Sequence, residues 1–173
     1  MKNNTKMITE AGAMIALAQV LSYIKLFQLP QGGSITFGSM VPIILFASYW
    51  GGKYGLIAAF TYGFMQFIFG GFVLNPMSIL LDYILAFGIL GIVGFFPKTL
   101  KGVLTGSTIA IIFRFLCHFL SGWLIFWFYA PDNIAPWLYS LQYNSFVLVE
   151  LIITLVIITT IYKPYMNFKN TSK

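Results

Sequence analysis

Uncharged apolar runs of bilayer-crossing length are the strongest constraint on this chain. Residues 77–96, MSILLDYILAFGILGIVGFF, hold a single carboxylate and no lysine or arginine. A run of ~20 such residues spans a hydrocarbon core of ~30 Å. In that medium only helices and closed barrels satisfy their own backbone polar groups. The run is continuous rather than alternating in apolar and polar residues, so it reads as a helix. Comparable runs recur along the chain. Breaks at Gly, Pro, Asn and Lys divide it into six spans, 7–27, 38–52, 54–72, 77–96, 102–129 and 138–162. With 59% hydrophobic and 8% charged residues, the chain lies outside the soluble range. The predicted fold class is an all-α membrane protein, a six-transmembrane-helix bundle with an outward-facing ligand pocket, built as one domain over residues 1–173. The fifth span is long enough to tilt or break, and GGKYG barely separates the second from the third. The basic start MKNNTK is followed by no small-residue cleavage signature, so the first run reads as a retained helix.

Lysines set the expected orientation. An even number of spans puts both termini on one side, with Lys2, Lys6, Lys53, Lys98, Lys101, Lys163, Lys169 and Lys173. The opposite loops, QLPQGGSIT, GFVLNP and APDNIAPW, contain no lysine or arginine. By the positive-inside rule the termini are cytoplasmic and the protein is a multi-pass protein of the cell membrane. The net charge of +6 is spread over separate membrane connections, which makes it a topological and lipid-contact signal and argues against nucleic acid as a partner. Cys117 is the only cysteine, so no disulfide forms within the chain. No G-x-x-x-x-G-K-[ST] phosphate loop is present, and the connections are too short for an ATPase domain.

Four ionisable residues sit deep in apolar runs: Asp82, Arg114, His118 and Glu150. Such groups are costly there, and they pair, face the bundle interior or line a substrate path. Counting ~1.5 Å per residue puts Asp82 roughly 9 Å, Asn144 roughly 12 Å and His118 roughly 16 Å from the outer surface. Their three helices can converge on one cavity. Tyr83, Trp127, Tyr129, Trp137, Tyr139 and Tyr143 lie around it, though Trp and Tyr also anchor helices at membrane interfaces. A buried carboxylate among aromatic faces suits a small organic cation. The alternative is a structural network in which Asp82 and His118 satisfy each other. Arg114 and Glu150 share a depth nearer the cytoplasm and are expected to neutralise one another beneath the pocket. Glu10, at the cytoplasmic start of the first span, suits the helix dipole, and Asp132 lies in an outer loop.

The stretches LPQGGSITFGSMVPIIL, ILLDYILAFGILGIVGFF, RFLCHFLSGWLIFWFYAP and PWLYSLQYNSFVLVELIIT resemble the thiamine-specific substrate-binding (S) components of energy-coupling factor transporters. With the spans between them they cover nearly the whole chain. The resemblance implies a six-helix protein that captures thiamine from outside. Its implied partners are a transmembrane coupling subunit and two cytoplasmic ATPase subunits, which alone use ATP. It implies no cofactor, no metal and no enzymatic activity. Carried over by position, it places substrate contacts at Asp82, Tyr83, His118, Tyr139 and Asn144, with an aromatic from the end of the fifth helix. Asp82 stands where some members carry Glu. Trp127 is the natural candidate for the aromatic, but on an ideal helix it lies about 180° from His118, whereas Phe126 lies about 80° away. LPQGGSIT resembles the family's outer lid. Small residues of the first helix, Gly12 with Ala16 and Ala18 with Ser22, stand where the family meets its coupling subunit, and such spacing serves ordinary helix packing equally well.

Two other classes are weighed. An intramembrane hydrolase would use Ser121 with His118, three residues apart on one face, but no oxyanion hole is evident. A self-sufficient ion-coupled carrier of a small organic cation would bind protons at Asp82 and His118, but obvious duplicated halves are absent.

Overall fold

The computed structural model describes residues 2–29 and 33–171. It is mostly helical, with six helices: α1 Lys2–Tyr23, α2 Val41–Trp50, α3 Gly52–Ile68, α4 Pro76–Phe95, α5 Leu100–Leu124 and α6 Pro136–Thr171. Helices α4, α5 and α6 are each long and apolar enough to cross a membrane. Helix α2 is apolar but rises only about 15 Å over its length. Ile57, Ile152 and Val156 turn outward, which in a membrane protein is lipid-facing surface.

The boundaries depart from the expected spans where local backbone chemistry intervenes. α1 stops at Tyr23 because the chain enters an antiparallel hairpin of β1 Lys25–Gln28 and β2 Ser34–Thr36, with Phe27 opposite Ile35 and Gln28 opposite Ser34. α2 and α3 are separated by Gly51 alone, at φ +92°, a left-handed conformation that glycine adopts without penalty. α5 ends at Leu124 and is followed by a single 3₁₀ turn, Trp127–Tyr129. α6 continues past the expected end at 162 to Thr171 with Pro164 inside it, and changes direction at Ser145.

Helix α4 is not a regular α-helix. Asn75 and Ser78 form a reciprocal capping box at its start, with Pro76 in the first turn. Leu80–Leu85 then form a π-helical turn and Ile89–Phe95 a 3₁₀ stretch. A 3₁₀ helix has three residues per turn, so Gly88, Gly91 and Gly94 fall on one face. A Cβ on Gly91 would lie 2.4 Å from Leu56 Cα, and one on Gly94 2.4 Å from the Gly51 carbonyl carbon. The glycine spacing and the tightened helix therefore serve one purpose, backbone-to-backbone packing of α4 on α3.

The apolar core contains Met40, Ile43, Ile44, Tyr62, Leu90, Ile111 and Ile158. Above it, a cavity occupies the end of the bundle that receives the C-terminal part of α1 and the N-terminal part of α6, opposite both termini. The small residues of α1 divide accordingly. Gly12 and Ala16 are exposed, whereas Ala18 is 0% exposed and Ser22 lines the cavity. The four thus do not share a face: at ~100° per residue, positions 16 and 18 are about 200° apart. Ala18 and Ser22 serve internal packing and the cavity wall, which corrects their assignment to a partner surface.

Candidate functional site

The cavity, of about 230 Å³, is lined by α1, α3, α4, α5 and α6 at this end and by the hairpin. Its floor is a continuous chain of charged and polar side chains. Thr36 donates to Glu150 Oε1 through both its backbone N–H, at 2.9 Å, and its hydroxyl, at 2.7 Å. The other oxygen, Oε2, accepts from Arg114 at 3.0 Å. Arg114 Nε donates to His118 Nε2 at 3.3 Å. His118 Nδ1 meets Asp82 Oδ1 at 2.8 Å, and the Ser121 hydroxyl donates to Asp82 Oδ2. The pairing of Arg114 with Glu150 is as depth suggested. Both line the cavity, however, rather than lying beneath it.

Local structure aims each group. The π-helical turn carries Asp82 and Tyr83, and such insertions rotate side chains away from regular α positions. The Tyr83 hydroxyl also receives the Phe72 N–H at 2.6 Å and donates to the Phe72 carbonyl at 3.2 Å, tying the connection between α3 and α4 to the wall. Arg114 and His118 stand one turn apart on α5 and present one face. Gly122, a further turn on, faces α6. A Cβ there would come within 2.3 Å of Ser140 Oγ and 3.0 Å of Asn144 Nδ2, so glycine permits the close approach of α5 and α6. Asn144 spends its amide group on the His118 carbonyl at 3.2 Å and the Ser140 carbonyl at 3.0 Å. It thereby fixes the two helices while lining the cavity.

Two aromatic groups flank this floor. Phe72, Phe126 and Tyr129 have ring centroids 5.7 to 6.3 Å apart. Tyr139 stacks on Tyr143 at 6.1 Å, and Tyr143 meets Phe146 edge-on at 6.3 Å. The hairpin closes a further side, where the Gly33 N–H donates to the Tyr143 hydroxyl at 3.1 Å. A Cβ on Gly33 would sit 2.8 Å from that oxygen. The other residues of the expected lid tip, 30–32, lie outside the described residues.

Asp82, Tyr83, His118, Tyr139 and Asn144, named from the sequence, all line this cavity. Trp127 does not: it is 57% exposed, and Phe126 takes the inward place. Ideal helical geometry already turns position 127 away from His118 and position 126 toward it, and the end of α5 at Leu124 keeps that order. Phe126 takes φ −98° and ψ 19°, after which a 3₁₀ turn carries Trp127 outward. Ser121 had been weighed only as a nucleophile. Its hydroxyl donates to Asp82, so the Ser–His pair that a hydrolase needs is not made. Its position three residues after His118 was the signal for a shared face. Phe72 carried no comparable signal, because its role depends on contacts between elements. Among the described residues no group of three or more His, Cys, Asp or Glu is arranged to hold a metal.

The fixed charges among the buried and half-buried lining residues are two carboxylates, Asp82 and Glu150, and one guanidinium, Arg114. Arg114 N–H groups only donate, so its Nε–H calls on His118 Nε2 as an acceptor. Arg114 is offset by Glu150, and Asp82 has no lysine or arginine in ion-pair contact. Lys25, on β1, is exposed at the rim. The arrangement is chemically fitted to a flat, singly charged organic cation.

Known proteins resemble this chain over most of its length. The chain is 33% identical to the thiamine transporter ThiT of Bacillus subtilis (strain 168), over 88% of this chain and 90% of that protein. It is 30% identical to the thiamine transporter ThiT of Lacticaseibacillus paracasei, over 80% of this chain and 77% of that protein. A solved structure of ThiT from Listeria monocytogenes shares the fold, with a TM-score of 0.83 over 94% of this chain and 96% of that chain at 24% identity. The thiamine transporter protein family (Thia_YuaJ) matches residues 8–170, and the chain belongs to that family.

Proposed function

We propose that this protein captures thiamine from outside the cell as the substrate-binding membrane subunit of an ATP-driven, energy-coupling-factor type uptake transporter. Membership of a family of transport proteins, not enzymes, supports the reading. The observation that carries the site assignment is Asp82, a carboxylate with no lysine or arginine partner, set among aromatic walls. Thiamine carries two flat rings, one permanently cationic. Asp82 supplies the counter-charge, and a charge-assisted contact of this kind is among the stronger directional interactions. Tyr83, Phe126, Tyr139 and Tyr143 offer π-faces to the rings, and His118 and Asn144 hold the wall against which they lie.

The orientation follows the same logic. Lys53, Lys98, Lys101 and Lys163 cluster at the end opposite the cavity, so the positive-inside rule turns the cavity outward, leaves both termini in the cytoplasm and makes the helices a six-span bundle. Free thiamine is preferred to its phosphates, because Arg114 is already held by Glu150 and the other lysine or arginine in the lining is a single exposed one, Lys25 at the rim. The exposed small-residue face of α1, with Gly12 and Ala16, is the part of the expected coupling-subunit surface that remains open to a membrane partner.

Binding energy alone cannot drive repeated uphill transport, since the affinity that captures the vitamin opposes its release. The test is calorimetric titration of the detergent-purified chain with thiamine, followed by uptake in liposomes with and without the partner module and internal ATP. The reading requires binding by the lone chain and concentrative uptake only with module and ATP. Uptake by the lone chain driven by a proton or sodium gradient would replace it with the ion-coupled carrier.

A further inference from the structure

The floor of the cavity contains a group whose purpose neither charge pairing nor thiamine contact explains. Arg114 is already neutralised by Glu150, yet it turns its Nε–H, rather than a further guanidinium edge, onto the imidazole of His118. The guanidinium is held on three other sides. Its Nη1 also contacts Met40 Sδ at 2.8 Å, and its centre lies 4.4 Å from the Phe87 ring centroid. The side chain is buried, although it lines the cavity, and these contacts hold it in one pose.

We propose that Arg114 is a positioning residue that fixes the single proton of His118 on Nδ1 and thereby sets the charge of the binding site. A guanidinium has donors and no acceptor, and it stays protonated in proteins. Its Nε–H therefore demands the lone pair of Nε2. With Nε2 bare, the ring's proton resides on Nδ1, where it is donated to Asp82 Oδ1. A proton on Nε2 would set N–H against N–H and place an imidazolium beside a guanidinium. Arg114 thus opposes both the other neutral tautomer and the cationic ring.

Two consequences follow. Asp82 keeps its full charge because its neighbours, Nδ1–H and the Ser121 hydroxyl, donate hydrogen bonds without adding a positive charge. Asp82 also keeps its direction, since both oxygens are held while their remaining lone pairs stay available to a ligand. The charged and titratable groups sharing this part of the cavity are Asp82 and Tyr83 from α4, Arg114 from α5, Tyr139, Tyr143 and Glu150 from α6, and Lys25 at the rim. The ring's hydrogen-bond partners are Arg114, which donates to Nε2, and Asp82, which accepts from Nδ1.

His118 is the only histidine in the chain, so ¹⁵N-imidazole NMR of the detergent-solubilised, full-length protein reads this one ring without assignment. The inference concerns proton position and rests on the thiamine reading only for the ligand used in its second arm. Near pH 7 and without ligand, the wild-type spectrum should show a protonated Nδ1 and a bare Nε2. A wild-type ring protonated at Nε2, alone or in addition to Nδ1, overturns the proposal without any variant.

The double variant Arg114→Met/Glu150→Gln removes the donor and its counter-charge together, and replaces a buried pair by a neutral one of similar volume. Its Nε2, no longer occupied, should take up a proton opposite Asp82, cancelling the site charge and weakening thiamine about tenfold or more. Arg114→Lys keeps the charge but lacks the fixed Nε–H, so it should shift the tautomer with the ion pair retained. An unchanged imidazole spectrum in either variant would contradict the proposal. If the wild type shows the expected tautomer but binds no thiamine, the proton assignment stands and the ligand reading falls.

Discussion

The protein buries charge at both ends of one bundle, and the two ends use it differently. At the cavity end, two carboxylates share one guanidinium and an imidazole, and one carboxylate, Asp82, borders open space. At the end holding the termini, a single carboxylate, Glu10, is saturated. It accepts from Trp50 Nε1 and the Tyr165 hydroxyl, each at 3.0 Å, and from Lys169 Nζ. Lys169, 5% exposed, lies over the rings of Tyr49 and Trp50 at 4.4 and 5.5 Å. Charge is balanced there, and every contact joins elements of the fold: α1 to α2 and α6. A carboxylate that borders a cavity with no lysine or arginine on it is poised for a ligand; a balanced one surrounded by donors is a staple.

That contrast is broken most severely by removing one member of the Arg114–Glu150 pair. The partners are 6% and 2% exposed, and stripping one leaves a buried charge uncompensated, at a typical cost of ~3–5 kcal/mol. Arg114→Met and Glu150→Gln should each lower the thermal unfolding midpoint and the yield in detergent. The double substitution should recover much of the loss. If the single variants are as stable as the wild type, the pair is not the strut described here.

Glu10→Gln sharpens the comparison from the other side. It retains hydrogen-bonding shape but discharges the partner of Lys169, and a hydrogen bond to a charged group is worth ~1.5–3 kcal/mol. The unfolding midpoint should fall while thiamine affinity in the folded protein stays within about twofold, because the cluster is remote from the cavity. A large affinity loss without a stability loss would make this end part of the binding machinery.

The smallest expected effect separates neighbours at the end of α5. Phe126→Ala should weaken thiamine binding by the ~0.5–1.5 kcal/mol typical of an aromatic contact beyond its buried area. Trp127→Ala should leave affinity unchanged, as its ring faces outward. Equilibrium titration of both variants decides between them, and the reverse order would restore Trp127 to the site.

The same contrast shows what a sequence reveals. Hydropathy locates six apolar segments because each run answers to one solvent, and depth counting pairs Arg114 with Glu150 and groups Asp82, His118 and Asn144, because rise per residue is nearly constant in a helix. Trp127 is the opposite case: the ~100° count already turns it away from His118 and favours Phe126, and it is the resemblance that names the tryptophan, where the structure turns Phe126 inward. The π-helical turn under Asp82 was not legible: it lies against α3, where a Cβ on Gly63 would come within 2.4 Å of the Tyr83 carbonyl oxygen, and such an approach between helices leaves no local pattern. Nor were the short strands of the hairpin, whose three or four residues give no readable alternation. Glu10 read as a helix-dipole residue because its partners stand 40, 155 and 159 positions away.

The central claim is that Asp82 is the counter-charge held ready for the ligand, and calorimetric titration of Asp82→Asn with thiamine tests it most directly. Asparagine can accept from His118 Nδ1 through its oxygen and donate its NH2 to a Ser121 hydroxyl that rotates to accept, so the floor should remain folded and a matched unfolding midpoint will confirm it. The account predicts an affinity one to two decades below wild type, the ~1.5–3 kcal/mol of a lost charged contact. A folded Asp82→Asn protein that binds thiamine as tightly as the wild type would contradict it and return Asp82 to the structural network of the wall.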